Sequence, residues 1–255
     1  MQLEQIALVL TAALAAGWVD AVVGGGGLIQ LPALMVVTSG QPVTAALATN
    51  KLASIAGTSS AAYAYLRRTE PDLDVTGPAG LIAVLSAAGG AACASLISSQ
   101  LLRPVIMAVL LGVAALVVLR PDLGRVPRPV RRTRWRTAAA ILVPGVLIAG
   151  YDGLIGPGTG TFLVMAFTGL LGADFVRASA NSKIINAGTN LGALIVFALQ
   201  GHVLWALGLA MAACNVVGAQ LGARMAVKRG AGFVRAVLLC VVTALVLKLA
   251  HDQFA

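Results

Sequence analysis

Residues 78–98 read PAGLIAVLSAAGGAACASLIS, a full membrane-spanning length without one charge. Nine more apolar stretches accompany it, bounded by polar or Pro/Gly breaks, at roughly 3–23, 28–38, 43–66, 101–119, 137–156, 160–172, 175–198, 203–223 and 232–251. A helix needs about 20 residues to cross the hydrocarbon core. Most of these stretches reach that length, whereas 28–38 and 160–172 fall short and are expected to enter only part way. The charged fraction is 11% and the mean hydropathy +0.93, against about 25% charged residues in soluble domains. So much apolar surface cannot be hidden inside one globule, and the bilayer is its natural solvent. Alternating strands of about ten residues, the mark of a membrane barrel, are absent from the pattern. The expectation is an all-α polytopic membrane protein. Met1–Gln5 holds Glu4 and no Lys or Arg, unlike the basic start of a signal peptide, so the first stretch reads as a retained helix.

The charges that remain are concentrated. Residues 120–136, RPDLGRVPRPVRRTRWR, carry Arg120, Arg125, Arg128, Arg131, Arg132, Arg134 and Arg136 together with three prolines. Proline interrupts a helix, and an excess of arginine marks a cytoplasmic loop. With this linker inside and the stretches alternating, Arg67, Arg68, Arg177, Arg224, Lys228, Arg229 and Arg235 also fall inside. Only Arg103 and Lys248 fall outside, and both termini are expected outside. The linker suits contact with anionic lipid and gives no grounds for nucleic acid.

Shifting the chain by 132 residues places Asp20 on Asp152, Gly24 on Gly156, Gly26 on Gly158, Gly40 on Gly172 and Lys51 on Lys183. Later the offset becomes 128, matching Gly80 with Gly208 and Gly90 with Gly218. A first transmembrane repeat over 1–119, the basic cytoplasmic linker over 120–136 and a second repeat over 137–255 follow. Each repeat holds five stretches, an odd number, so the second is expected upside down. Inverted repeats with short or Gly-interrupted segments at matching positions are the plan of many secondary transporters, with the site at the midplane.

The matched breaks are DAVVGGGGLIQLPAL (20–34) and DGLIGPGTGTFLVM (152–165). Glycine allows sharp turns and close approach of a ligand to the backbone. A helix start beyond the break turns N–H groups and a positive dipole end into it, an anion-binding arrangement. Gly24, Gly25, Gly26, Gly27, Gly156, Gly158, Thr159 and Gly160 are therefore candidate substrate-binding residues. Close helix packing is the competing reading, and it is the preferred one for the scattered glycines Gly89 and Gly90.

The following stretches carry ATNKLASIAGTSS (48–60) and ANSKIINAGTN (180–190). A lysine in a membrane segment is a functional-site candidate. Lys51 shares a helix face with Ser54, and Lys183 with Asn186; Thr49, Asn50, Asn181 and Ser182 are further candidate donors for an oxyanion. Asp20 and Asp152 would neutralise the lysines, carry protons, or do both, and pairing within or across repeats stays open. Gln30, Asn215 and Gln220 read as hydrogen-bonders between helices. Cys93, Cys214 and Cys240 show no pairing or metal spacing, and neither they nor His202 and His251 build a metal site. No cofactor, nucleotide loop or catalytic base is indicated, so an enzyme is not expected.

The run GGGGLIQLPAL followed by ALATNKLASIAG, with the small-residue helix GAQLGARMA (218–226), resembles the TauE/SafE family, sulfite exporters and toluene-sulfonate uptake permeases. The likeness extends over both repeats and the linker. It implies an inner-membrane transporter of sulfite or sulfonates, most often acting in export; a small anion and membrane lipids are the expected partners, and a homodimer is one admissible assembly. The second glycine run departs from the pattern as GPGTG, and its T-N-K counterpart reads N-S-K. Transport by alternating access coupled to the proton gradient is the leading expectation; a passive anion channel and a membrane sensor or assembly protein are the alternatives.

Overall fold

The computed structural model describes residues 3–102, 104–106, 108 and 130–254. Of the expected stretch 101–119 only 101, 102, 104–106 and 108 are among them, and linker residues 120–129 lie outside. Among the described residues every regular element is a helix: α1 (Leu3–Val23), α2 (Gly27–Val37), α3 (Val43–Leu66), α4 (Leu73–Leu96), α5 (Arg134–Leu154), α6 (Thr159–Leu171), α7 (Phe175–Leu199) and α8 (Trp205–Phe254). Helices α1, α4, α5, α7 and the Trp205–Gly230 part of α8 are long and apolar enough to cross a bilayer. The chain is an all-α polytopic membrane protein. Helices α2 and α6, of 11 and 13 residues, rise about 17–20 Å at 1.5 Å per residue, well short of the hydrocarbon thickness.

Helix α3 is long but too polar to be counted among the five. Thr44, Thr49, Asn50, Lys51 and Thr58 are all buried along it. Polar side chains are tolerated at membrane depth where protein rather than lipid surrounds them, and α3 is enclosed by α7 and α8. Its neighbour α4 shows the opposite pattern. A stripe of Val75, Ala79, Ala83, Ala87, Ala91 and Ala94 is buried, while Leu81, Leu85 and Leu96 face outward, as lipid contact requires.

Most packing joins elements before residue 109 to elements after residue 130: α1 lies on α8, α4 on α5 and α7, and α3 on α7 and α8. Small residues make these crossings close. A Cβ at Gly218 would overlap the Leu14 carbonyl, and one at Gly222 the Trp18 carbonyl. On the other side, a Cβ at Gly90 would overlap the Gly150 carbonyl, and one at Gly153 the Ala87 carbonyl. Gly90 is thus a packing glycine, whereas Gly89 faces open space.

Three boundaries differ from expectation. Helix α4 starts at Leu73 and runs through Pro78. The proline removes the partner of only one carbonyl, that of exposed Asp74, and Thr76 Oγ1 strengthens the first turn by donating to Asp72 O at 2.9 Å. Helix α5 begins at Arg134, three residues inside the expected linker, since no proline follows Pro129 until Pro144. Within α5, Val143–Ile148 widens into a π-helical turn; Pro144 has no N–H to offer the preceding turn, and the wider turn absorbs the loss. The last two stretches meet at Gly230, whose φ of 73° and ψ of −168° break α8.

Candidate functional site

Each Gly-rich break ends a helix by a left-handed glycine. Gly24 has φ +82° and Gly156 φ +94°, a backbone that side chains with a Cβ rarely adopt. Gly158, at φ +80°, then opens α6. The two breaks lie directly on one another. A Cβ placed on Gly24 would overlap the backbone of Gly160, and one on Gly160 the backbone of Gly24. Thr161 Oγ1 donates to Val23 O at 3.3 Å, and Ser182 Oγ to Gly160 O at 3.2 Å. The start of α6 is therefore held against the end of α1 by backbone contact.

Helices α3 and α7 bring a lysine to this junction from each side, and the pairing is crosswise. Lys51 Nζ lies 2.8 Å from Asp152 Oδ2; Lys183 Nζ donates to Asp20 Oδ2 at 3.0 Å. Both ammonium groups are buried, with Lys51 2% and Lys183 0% exposed. An unpaired charge there would be costly, so each lysine depends on an aspartate more than a hundred residues away in sequence. Gly156 makes room for this: a Cβ on it would stand 3.2 Å from both Lys51 Nζ and Asp152 Oδ1.

The two carboxylates are held differently. Asp152 spreads its contacts over both oxygens, with Lys51 at Oδ2 as a charge contact outside hydrogen-bond alignment and Thr159 Oγ1 2.7 Å from Oδ1. Thr159 Oγ1 is equally 2.7 Å from Gly156 O, and its single proton serves one of the two at a time. Asp20 receives both donors on one oxygen, Lys183 at 3.0 Å and Thr58 Oγ1 at 3.4 Å. Its side chain is 15% exposed, against 3% for Asp152.

Between the pairs is a cavity of about 20 Å³, room for about one water molecule. Of the candidate residues, Asp20, Gly24, Gly27, Asn50, Lys51 and Ser54 line it from the first half, and Asp152, Gly156, Gly158, Thr159, Gly160 and Asn186 from the second. Two lining residues, Thr58 and Asn190, were not expected. Both stand seven positions beyond a lysine, where two helical turns return to the same face.

Five candidates sit elsewhere. Gly25 packs toward Val19 and Leu28, and Gly26 against Ala16 and Asp20 Cβ. Thr49 accepts the Leu204 N–H at 3.2 Å, and Ser182 is engaged by Gly160 O. Asn181 accepts the Asp72 N–H on Oδ1 at 2.9 Å and lines a different, wider cavity. Lys183 reaches the junction only through its ammonium on Asp20. Beside the site, Asn215 Nδ2 donates to Gln30 Oε1 at 2.8 Å and Gln220 Nε2 to Ser60 Oγ at 2.6 Å, hydrogen bonds between helices.

The model of the family described as "Sulfite exporter TauE/SafE" matches residues 9–249. A probable membrane transporter protein ORF9 of Sinorhizobium is 36% identical over 97% of this chain and 93% of its own length. The probable membrane transporter protein YfcA of Escherichia coli K12 is 32% identical over 94% and 88%, respectively. A probable membrane transporter protein of Haemophilus influenzae is 30% identical over 98% and 96%. No solved structure matches the chain.

Proposed function

The chain belongs to the TauE/SafE family of membrane transporters, and from that premise we propose that it moves small sulfur-containing anions, sulfite and sulfonates, across the inner membrane by alternating access. The observation that carries the reading is the crosswise pairing of two buried lysines with Asp152 and Asp20 where the Gly-rich breaks touch. An anion entering between the pairs competes with each carboxylate for an ammonium. Hydroxyl and amide donors on Ser54, Thr58, Asn186 and Asn190 surround the space, and glycine backbone lines the rest. Because each pair ties one half of the chain to the other, its release loosens the halves together, which is the coupling that alternating access needs. The aspartate set free is then the natural proton carrier, and inward proton flow would drive export.

The inverted-repeat reading gains support from matched contacts. Gly218 against Trp18 and Gly90 against Gly150 are equivalent crossings under the offsets of 128 and 132, as are the two ion pairs. A space of about 20 Å³ favours a closed, gated state over a standing channel. With the linker inside, both termini face outward.

Radiolabelled sulfite and toluenesulfonate uptake into proteoliposomes, with and without a pH gradient, tests the reading. Wild type is expected to show saturable, gradient-driven flux. Lys51→Gln and Lys183→Gln should each lower it by at least about tenfold, the scale of a lost charge-assisted contact. Flux that neither saturates nor responds to the gradient would indicate a channel. Wild-type flux in both variants would remove the lysines from the site.

A further inference from the structure

A wider cavity lies away from the lysine pairs. It measures about 270 Å³, close to the lower end of small-molecule pockets at about 300 Å³. Its walls are the residues leading into α5, the loop between α6 and α7, and the first turns of α7. Three arginines line it: Arg132, Arg136 and Arg177.

Two carboxylates share the wall, and both are occupied. Arg132 Nη2 stands 2.7 Å from Asp72 Oδ2 and 3.0 Å from its Oδ1. Asp174 caps α7, its Oδ1 accepting the Arg177 N–H at 2.9 Å. The backbone hydrogen bond leaves Asp174 its negative charge, so the three arginines outweigh the two carboxylates of the lining by one positive charge. Arg136 Nη1 is buried with no hydrogen-bond partner among the described residues.

Asn181 supplies the decisive feature. The residue is fully buried. Its Oδ1 is fixed by the Asp72 N–H, because a backbone donor requires the amide oxygen and not the amide nitrogen. The Nδ2 is thereby turned elsewhere, and it has no partner among the described residues. A buried amide nitrogen without an acceptor is destabilising and invites a ligand that accepts. Two planar guanidinium forks and an amide N–H₂ are the donor set of an oxyanion with several oxygens.

We propose that this arginine-lined cavity is a second oxyanion site, a vestibule that takes a small sulfonate or sulfite from the side of the basic linker before it reaches the lysine pairs. The choice of ligand rests on the anion-transport reading above; the donor set itself does not. Asn181 and Lys183 are two residues apart on α7, about 3 Å of axial rise, and Ser182 between them binds Gly160 O beside the inner cavity. Helix α7 contributes to both cavities, Arg177 and Asn181 to the wide one and Asn186 and Asn190 to the narrow one.

The test is calorimetric titration of toluenesulfonate into the full-length protein in uncharged detergent. The variants are Arg136→Gln, Asn181→Asp and Lys51→Gln, each first checked as monodisperse and helical. Asn181→Asp keeps the acceptor for the Asp72 N–H and replaces both donors by a negative charge. Saturable binding is expected in wild type, its vestibule component weakened about tenfold in Arg136→Gln and in Asn181→Asp and still present in Lys51→Gln, which removes only the component at the lysine pairs. Equal affinity in wild type, Arg136→Gln and Asn181→Asp overturns the vestibule, as does an absence of binding in wild type. Binding lost only in Lys51→Gln also overturns it while leaving the transport reading intact. A parallel titration in nanodiscs compares zwitterionic lipid with phosphatidylglycerol. Unchanged binding supports a free anion as ligand; displacement by phosphatidylglycerol assigns the site to a lipid headgroup and overturns the feeding role.

Discussion

The two lysine–aspartate pairs occupy matching positions in the sequence and are built unequally. Asp152 is nearly sealed, its two oxygens divided between Lys51 and Thr159. Asp20 is less enclosed, and its two donors crowd one oxygen, the second at 3.4 Å. The glycine breaks differ in the same direction. GPGTG carries Thr159, which reaches the carboxylate of its own break, whereas GGGG has no side chain to do so. The sealed pair therefore reads as the anchor of the junction and the open pair as the one that yields first.

That contrast can be broken at its base, where the breaks touch. Gly160→Ala puts a Cβ into the backbone of Gly24, and Gly24→Ala adds strain at φ +82°. Each should cost more than about 3 kcal/mol, seen as loss of monodisperse protein in thermal-stability chromatography. Near-wild-type stability in either would mean the breaks do not bear on each other. The next largest effect comes from the carboxylates. Asp152→Asn strands a lysine that is 2% exposed and should cost about 3–5 kcal/mol. Asp20→Asn strands Lys183, which is 0% exposed, and should cost about as much. A melting temperature left unchanged by either substitution would remove that pair from the junction. The smallest effect sharpens the picture: Thr159→Val is expected to lose about 1–2 kcal/mol and Thr58→Val less than about 0.5, given the length of its bond. Denaturant midpoints in the reverse order would assign the firmer grip to Asp20.

Much of this was legible in the residues. Apolar length foretold the helices and the short α2 and α6, and the offset of 132 picked out both breaks and both lysines. The choice of partner was hidden, because a sequence offset relates equivalent positions and says nothing about which of them meet in space. Asn181 and Ser182 were grouped with Lys183 by adjacency, although successive helical residues point about 100° apart. The same rule applied over two turns would have found Thr58 and Asn190. The wide cavity was out of reach of any local pattern, since Asp72, Arg136 and Asn181 come together only through tertiary packing. Pro78 marked an end for α4 that one lost hydrogen bond at an exposed turn is too weak to impose.

The crosswise pairing also bears on how the protein is made. Synthesis delivers the first helices to the membrane before the later ones exist. Until α5 and α7 arrive, Lys51 and Asp20 have no opposite charge waiting at their final positions, and lipid is a poor host for either. The nascent first half must keep α3 near the water or the insertion machinery, and the arrival of Asp152 and Lys183 becomes the event that lets it settle.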